Sequence, residues 1–252
     1  MNEAILPERL KRYFVLSLAD TPQRRREIYR LRYEIYCREF GYEREADCPG
    51  GLERDEYDDR AIHCAIHHRD SGVLAGCIRL IMASEDPEIG QLPLERHCAE
   101  SLYETPQHPA RIPREQICEV SRLGIRYQFR RRRGEGEHPF GSAAGLQLPR
   151  EQERTFPLLA SALFAAEAYL VYEAGKQYSY AMMETRLAEL LARQGLVFTP
   201  IGRVMRYHGK RAAYYIEREE LMSSIRASRL LLPLYEMAEE QLAPQTAQLL
   251  RG

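Results

Sequence analysis

The 252-residue chain has no tryptophan, no appreciable net charge, and no apolar run near the roughly 20 residues that cross a bilayer. On that count no helical membrane span is expected. The charge balance, 36 Lys+Arg against 37 Asp+Glu, excludes bulk electrostatic binding of nucleic acid but leaves room for local charged sites. With 44% hydrophobic and 29% charged residues, the chain is not a disordered one and can bury a sizeable core. No internal repeat is present. The N-terminus, MNEAILPERLKRYF, has acids and no apolar stretch, so no signal peptide and a cytoplasmic location are expected. Six cysteines (37, 48, 64, 77, 98 and 118) form no C-x-x-C pair, which points to reduced thiols. His63, His67 and His68 lack an H-E-x-x-H frame or a third ligand at sensible spacing, so no metal site is expected. No G-x-S-x-G motif suggests a serine acyl-enzyme.

What is present is a mixed order of elements. Residues 13–19 read as a strand. Asp20-Thr21-Pro22 starts a helix that runs to Phe40 and ends at Gly41. Residues 61–67 and 73–82 read as strands joined by a turn, with another strand at 116–125. A helix at 155–174 carries a broad apolar face. After it come a short strand at 178–183, a helix at 184–193, and strands at 196–199, 204–207 and 212–217. Residues 218–243 read as terminal helix interrupted at Pro233. The order predicts one α+β domain over residues 1–217, with an insertion near 130–150. A helical extension, 218–252, is expected to pack on the same domain.

Four clusters could carry chemistry. Glu53-Arg54-Asp55-Glu56-Tyr57-Asp58-Asp59 places five acids in seven residues, an arrangement that a solvated face would also show. Arg79 lies inside the apolar strand Gly76-Cys77-Ile78-Arg79-Leu80-Ile81, where an unpaired guanidinium is costly, so it should meet those acids. In Glu119-Val120-Ser121-Arg122-Leu123 a regular strand would point Glu119 and Arg122 to opposite faces, and a bulge near Ser121 would bring them together. Arg32 and Tyr36 are i, i+4 neighbours on the first helix, with Tyr42 just beyond it.

In this order and spacing, Arg32-x-x-x-Tyr36, Tyr42, Glu53-x-Asp55-x-x-Asp58, Arg79 and Glu119-x-Ser121-Arg122 resemble the acyl-homoserine-lactone (autoinducer) synthases and the related N-acyl amino acid synthases. The resemblance covers about residues 13–125. The run Glu119–Leu123, followed by Arg130-Arg131-Arg132-Arg133-Gly134-Glu135, is most similar to the acyltransferases associated with PEP-CTERM/exosortase systems. The family usually has Phe where Tyr36 stands and Trp where Tyr42 stands, which turns expectation from S-adenosylmethionine towards an amino-acid acceptor.

The resemblance implies a GNAT-like acyl-CoA N-acyltransferase fold with a central mixed sheet flanked by helices. It also implies transfer of a fatty acyl group from acyl carrier protein to an amine, with no permanently bound cofactor. Glu53 is then the first candidate base and Glu119 the second, with Arg79 and Arg122 beside them. Arg32, Tyr36, Tyr42, Asp55, Asp58 and Ser121 would shape the substrate site. Arg32, Arg79 and Arg122 would organise the carboxylates, and one of them could hold the acceptor's carboxylate. Leu158, Leu159, Phe164 and Tyr169 would line an acyl chamber or serve as plain core. Arg131-x-x-Gly134-x-Gly136 is similar to a coenzyme A pyrophosphate loop, and Arg130–Arg133 would suit an acidic carrier protein. A lactone synthase, an acyl-CoA-dependent enzyme and a non-catalytic lipid or carrier binder are the alternatives.

Overall fold

A computed structural model describes residues 5–86, 89–130 and 150–249. Helix α1 (Ile5–Tyr13), absent from the sequence-based expectation, runs into β1 (Phe14–Leu18). Helix α2 (Pro22–Arg32) starts with Thr21 as its cap and proline in its first turn, as the sequence predicts. It does not continue as α-helix to Phe40. Residues Tyr33–Glu39 widen into a π-helical turn, and Phe40 N–H reaches back five residues to Ile35 C=O.

Strands β2 (Ala61–His68), β3 (Leu74–Met82) and β4 (Ile117–Ile125) form an antiparallel meander with β1. A short helix, α3 (Pro93–His97), lies between β3 and β4. After α4 (Arg150–Glu153) comes α5 (Leu159–Glu173), which starts later than the sequence suggests because residues 156–158 form a 3-10 turn. Strand β5 (Tyr178–Met183) lies parallel to β4 and is followed by α6 (Thr185–Arg193). Then come β6 (Thr199–Pro200), β7 (Met205–Arg206), β8 (Lys210–Glu217), α7 (Arg218–Ala227) and α8 (Leu231–Leu249). The sheet order is β1-β2-β3-β4-β5-β8-β6, with β7 paired to β8.

Three boundaries differ for identifiable reasons. The strand expected at 196–199 shrinks to two residues because Gly195 and Leu196 close α6, with Leu196 N–H bonding Leu191 C=O and Gly195 at φ 101°. The strand expected at 204–207 is cut short by a turn in which His208 (φ 48°) and Gly209 both adopt left-handed backbone. The terminal helices break at Ser228, whose hydroxyl accepts from Leu231 N–H, and not at Pro233. Pro233 sits in the first turn of α8, where a missing N–H costs little.

Helix α5 is buried on nearly every side, with the sheet on one face and α8 on the other. Together with the 3-10 turn before it, it makes up Phe156–Glu173, the one helical stretch among the described residues long and apolar enough by composition to cross a membrane, and here it serves as the central core helix. Each large apolar side chain it buries contributes about 1.5–3 kcal/mol. Helix α8 also covers an edge of the sheet. Gln241 and Gln245 accept from the N–H groups of Leu16 and Leu18 on β1, at 2.7 and 2.9 Å.

Candidate active site

Strands β4 and β5 share only three register positions, from Ile117↔Tyr178 to Glu119↔Tyr180. Beyond Glu119 the two strands part, and one edge of β4 has no strand partner. A bulge increases the divergence. Cys77 pairs with Gly124 and Arg79 with Ser121, so Arg122 and Leu123 stand opposite Ile78 alone. Arg122 takes the extra turn at φ 54°, a left-handed conformation that few non-glycine residues adopt. The bulge is held from behind by Tyr36, whose hydroxyl donates to Leu123 C=O at 2.8 Å, and the π-helical turn places that tyrosine. The Arg122 guanidinium lies 5.6 Å over the Tyr36 ring.

Beneath the bulge, three arginines interleave with three acids. Arg32, fully buried, bonds Glu53 and forks onto Asp58 at 2.6 and 3.1 Å. Arg79 reaches Asp55 at 2.6 Å, Asp58 at 2.7 Å and the Ser121 hydroxyl at 3.0 Å. Arg122 holds Glu53 at 3.1 Å and Asp55 at 3.0 Å, with Glu43 at 3.6 Å. Burial alone would raise the pKa of these carboxyls, but the guanidiniums win. Arg122 and Arg32 hold Glu53 below the usual carboxylate range, Arg79 holds Asp55 there, and Arg32 and Arg79 hold Asp58 well below it. His63 packs beside this network with Nε2 at 3.1 Å from Asp58 C=O, and burial pushes its pKa down to about 4, so it is neutral at pH 7.

Glu119 sits apart from that network. It is buried on β4, and its Oε2 accepts from Leu94 N–H in the first turn of α3 at 2.8 Å. Burial pushes its pKa up to about 8, against the opposing pull of the Leu94 N–H and Arg79. Glu119 and Arg122 both line a small 40 Å³ pocket with Tyr207, His208 and Arg211. A bulged strand thus brings Glu119 and Arg122 to one cavity. Beside it, between the splayed strands, opens a 410 Å³ cleft with Val120 to Ile125 on one wall and Ala181 to Met183 on the other. Phe164 of α5 closes its floor. Leu158, Leu159 and Tyr169 belong to the core, Tyr169 with its hydroxyl at 3.1 Å from that of Thr246.

Tyr42 lies at the rim, stacked on Phe40 at 5.2 Å and tilted against His208 at 5.7 Å. Arg130 pairs with Glu39 and covers the Phe40 ring. Arg131, Arg132, Arg133, Gly134 and Gly136 lie outside the described residues. Among the described residues no group of three or more His, Cys, Asp or Glu could hold a metal ion. The six cysteines are buried and unbonded, with Cys37 and Cys48 sulfurs 3.3 Å apart.

Sequence reasoning did not single out Arg211, Tyr207 or His208. All three belong to the β7–β8 hairpin, where only tertiary folding carries them to the pocket. The positive φ at His208 and the close approach of Gly209 to the Tyr42 hydroxyl fix that hairpin against the rim.

Residues 31–136, the stretch that carries the charged network, match the family described as acetyltransferase (GNAT) domain. No curated protein matches the chain by sequence. Among solved structures, the AHL synthase LasI superposes with a TM-score of 0.62 at 15% identity, over 86% of this chain and 96% of that one. The CoA-dependent acyl-homoserine lactone synthase BjaI, solved with SAM and isopentyl-CoA, gives 0.56 at 18% identity, over 85% and 88%. FeeM, an N-acyl amino acid synthase from uncultured soil microbes, gives 0.51 at 16% identity, over 84% and 94%. The chain therefore has a single GNAT-like fold, a mixed central sheet flanked by helices.

Proposed function

From a GNAT-like fold with this cleft, we propose that the protein is an N-acyltransferase that moves a fatty acyl group from a thioester to the amine of an amino-acid-like acceptor. The observation that carries this reading is Glu119, a buried carboxyl whose pKa is pushed up to about 8 and which lines the small pocket that shares Ser121, Arg122 and Arg211 with the cleft. A base must take a proton from the acceptor amine, and a group poised near neutrality does so best. Glu53 is the weaker candidate, because two guanidiniums hold it ionised at low pH and occupy its oxygens.

The acyl chain occupies the apolar 410 Å³ cleft with its thioester carbonyl beside the bulge. The acceptor nitrogen attacks that carbonyl carbon and passes a proton to Glu119. The carbonyl oxygen becomes an oxyanion, held by backbone N–H groups on the unpartnered edge of β4. The intermediate collapses, the C–S bond breaks, and the proton leaves with the thiol. Arg32, Arg79, Arg122, Glu53, Asp55 and Asp58 are the frame that fixes the bulge, while Tyr36, Tyr42 and Ser121 shape the acceptor end. The carboxyl of Glu119 favours catalysis over simple lipid binding, which needs no desolvated acid.

Acyl carrier protein is the proposed donor partner, supported by the positive charge that the sequence run Arg130–Arg133 offers an acidic protein and its phosphate arm. The same run, with Glu119–Leu123, supports a place beside the exosortase-associated acyltransferases. Six unbonded thiols support a cytoplasmic setting. The test incubates the protein with acyl carrier proteins of several chain lengths, offers mixed amino acids or S-adenosylmethionine, and reads products by mass spectrometry. An acyl amino acid supports the proposal. A lactone points to a signal synthase, and turnover only with acyl-CoA moves the donor. No product with any donor overturns the reading.

A further inference from the structure

Arg130 on the cleft pairs with Glu39. Of the four arginines in the charged frame and the small pocket, Arg32, Arg79 and Arg122 are consumed by Glu53, Asp55, Asp58 and Glu43. The fourth, Arg211 on β8, borders both the small pocket that holds Glu119 and the acyl cleft. Its Nε donates to His208 C=O at 3.0 Å, and its guanidinium lies 5.6 Å over the Tyr42 ring. Those two contacts fix the plane of the fork. Among the described residues no carboxylate stands within ion-pair distance of it, although Glu43 borders one of its cavities and Glu184 the other. The terminal nitrogens thus form an oriented, uncompensated cationic edge beside the base.

We infer that Arg211 is the receptor for the acceptor's carboxylate, so that the enzyme selects α-amino acids over amines that lack the acid. This rests on the N-acyltransferase reading above. A guanidinium held flat presents two parallel N–H groups, the geometry that a carboxylate accepts bidentately. The competing anion is the phosphate of the donor's pantetheine arm. That phosphate lies a whole pantetheine arm from the thioester carbon, whereas Arg211 shares a 40 Å³ pocket with Glu119. An amino acid whose nitrogen meets Glu119 carries its carboxylate only two bonds further on. Glu43 lines the same pocket as Arg211, which disfavours a second carboxylate on the acceptor.

The test compares wild type, Arg211→Gln and Arg211→Lys. With amino-acid acceptors, Arg211→Gln should raise the acceptor KM roughly 10- to 100-fold, as expected for the loss of a charge-assisted pair. Arg211→Lys should recover only part, and the defect should be much smaller when the acceptor is a decarboxylated amine. The donor arm uses an acyl N-acetylcysteamine thioester, which has no phosphate. A defect that persists with it supports the carboxylate, and a defect that vanishes assigns Arg211 to the donor phosphate and overturns the inference. A binding arm needs no turnover. An N-acyl amino acid should raise the melting temperature of the wild type more than its primary amide does, and Arg211→Gln should erase that difference. Equal stabilisation by acid and amide overturns the inference. Absence of acylation in a protein that still prefers the acid over the amide overturns only the catalytic reading.

Discussion

The Glu119 carboxylate accepts the Leu94 N–H at 2.8 Å, so a side chain from the central strand is pinned by the first turn of a short helix. The contact orients the acid without neutralising it, since an N–H carries no full charge. Burial then keeps the proton on until about pH 8. Activity should therefore rise with pH, with kcat/KM expressed per free, unprotonated acceptor amine climbing about tenfold per unit below 8 and levelling above. A rate flat from pH 6.5 to 9 counts against Glu119 as the base.

Glu119→Gln keeps an oxygen for the Leu94 N–H and removes the base. We expect kcat to fall by about 10² to 10⁴. The sign for stability is opposite. An acid whose folded pKa is raised loses stability as pH rises through that value. The variant should thus melt at or above the wild-type temperature at pH 9. Calorimetry beside the kinetic assay separates the two effects.

The charged frame beneath the bulge predicts a different outcome. Asp58→Asn or Arg79→Ala leaves partners buried and uncompensated, at a cost of about 3–5 kcal/mol. Glu53, Asp55 and Asp58 are all held below their usual range, so their stabilisation is complete above pH 4.5 and is lost as pH falls through their lowered values. Denaturant melts from pH 7 to 3 should show the midpoint dropping in wild type and less steeply in Asp58→Asn. A variant that melts like wild type at pH 7 would show the network to be dispensable.

Tyr36→Phe removes the hydroxyl that secures Leu123 C=O and leaves the ring under Arg122. The loss should be about 1 kcal/mol, because a half-buried carbonyl loses its hydrogen bond. The acceptor KM should change more than the donor KM, since the bulge is what moves.

Phe164 forms the floor of the acyl cleft. Phe164→Leu should lengthen the preferred acyl chain while keeping the core filled. A product profile unchanged across chain lengths would place the acyl group elsewhere.

Some of this was legible in the sequence. A guanidinium in the apolar run around Arg79 requires a buried acid, and Glu53–Asp59 is the nearest supply. Glu119 and Arg122 lie on opposite faces unless the strand slips by one residue, and it does. Ranking the two glutamates was beyond sequence reasoning, because both are carboxylates near arginines. Their roles separate only when distances show that Glu53 is gripped by two cations and Glu119 by a backbone N–H. Arg211 stayed hidden for a similar reason. Beside Lys210 it reads as a solvated turn, and only the pairing of β8 with β5 carries it to the cleft. The π-helical turn at Tyr33–Glu39 left no mark either, since an added residue per turn changes no composition.

The two glutamines of α8 have a consequence for solubility. By accepting from Leu16 and Leu18, they occupy the donors through which β1 could recruit a strand from another molecule. Removing α8 would uncover a bare, apolar ribbon edge. The truncated chain would meet its own copies edge to edge, so the last helix guards the protein against self-association as much as it fills the core.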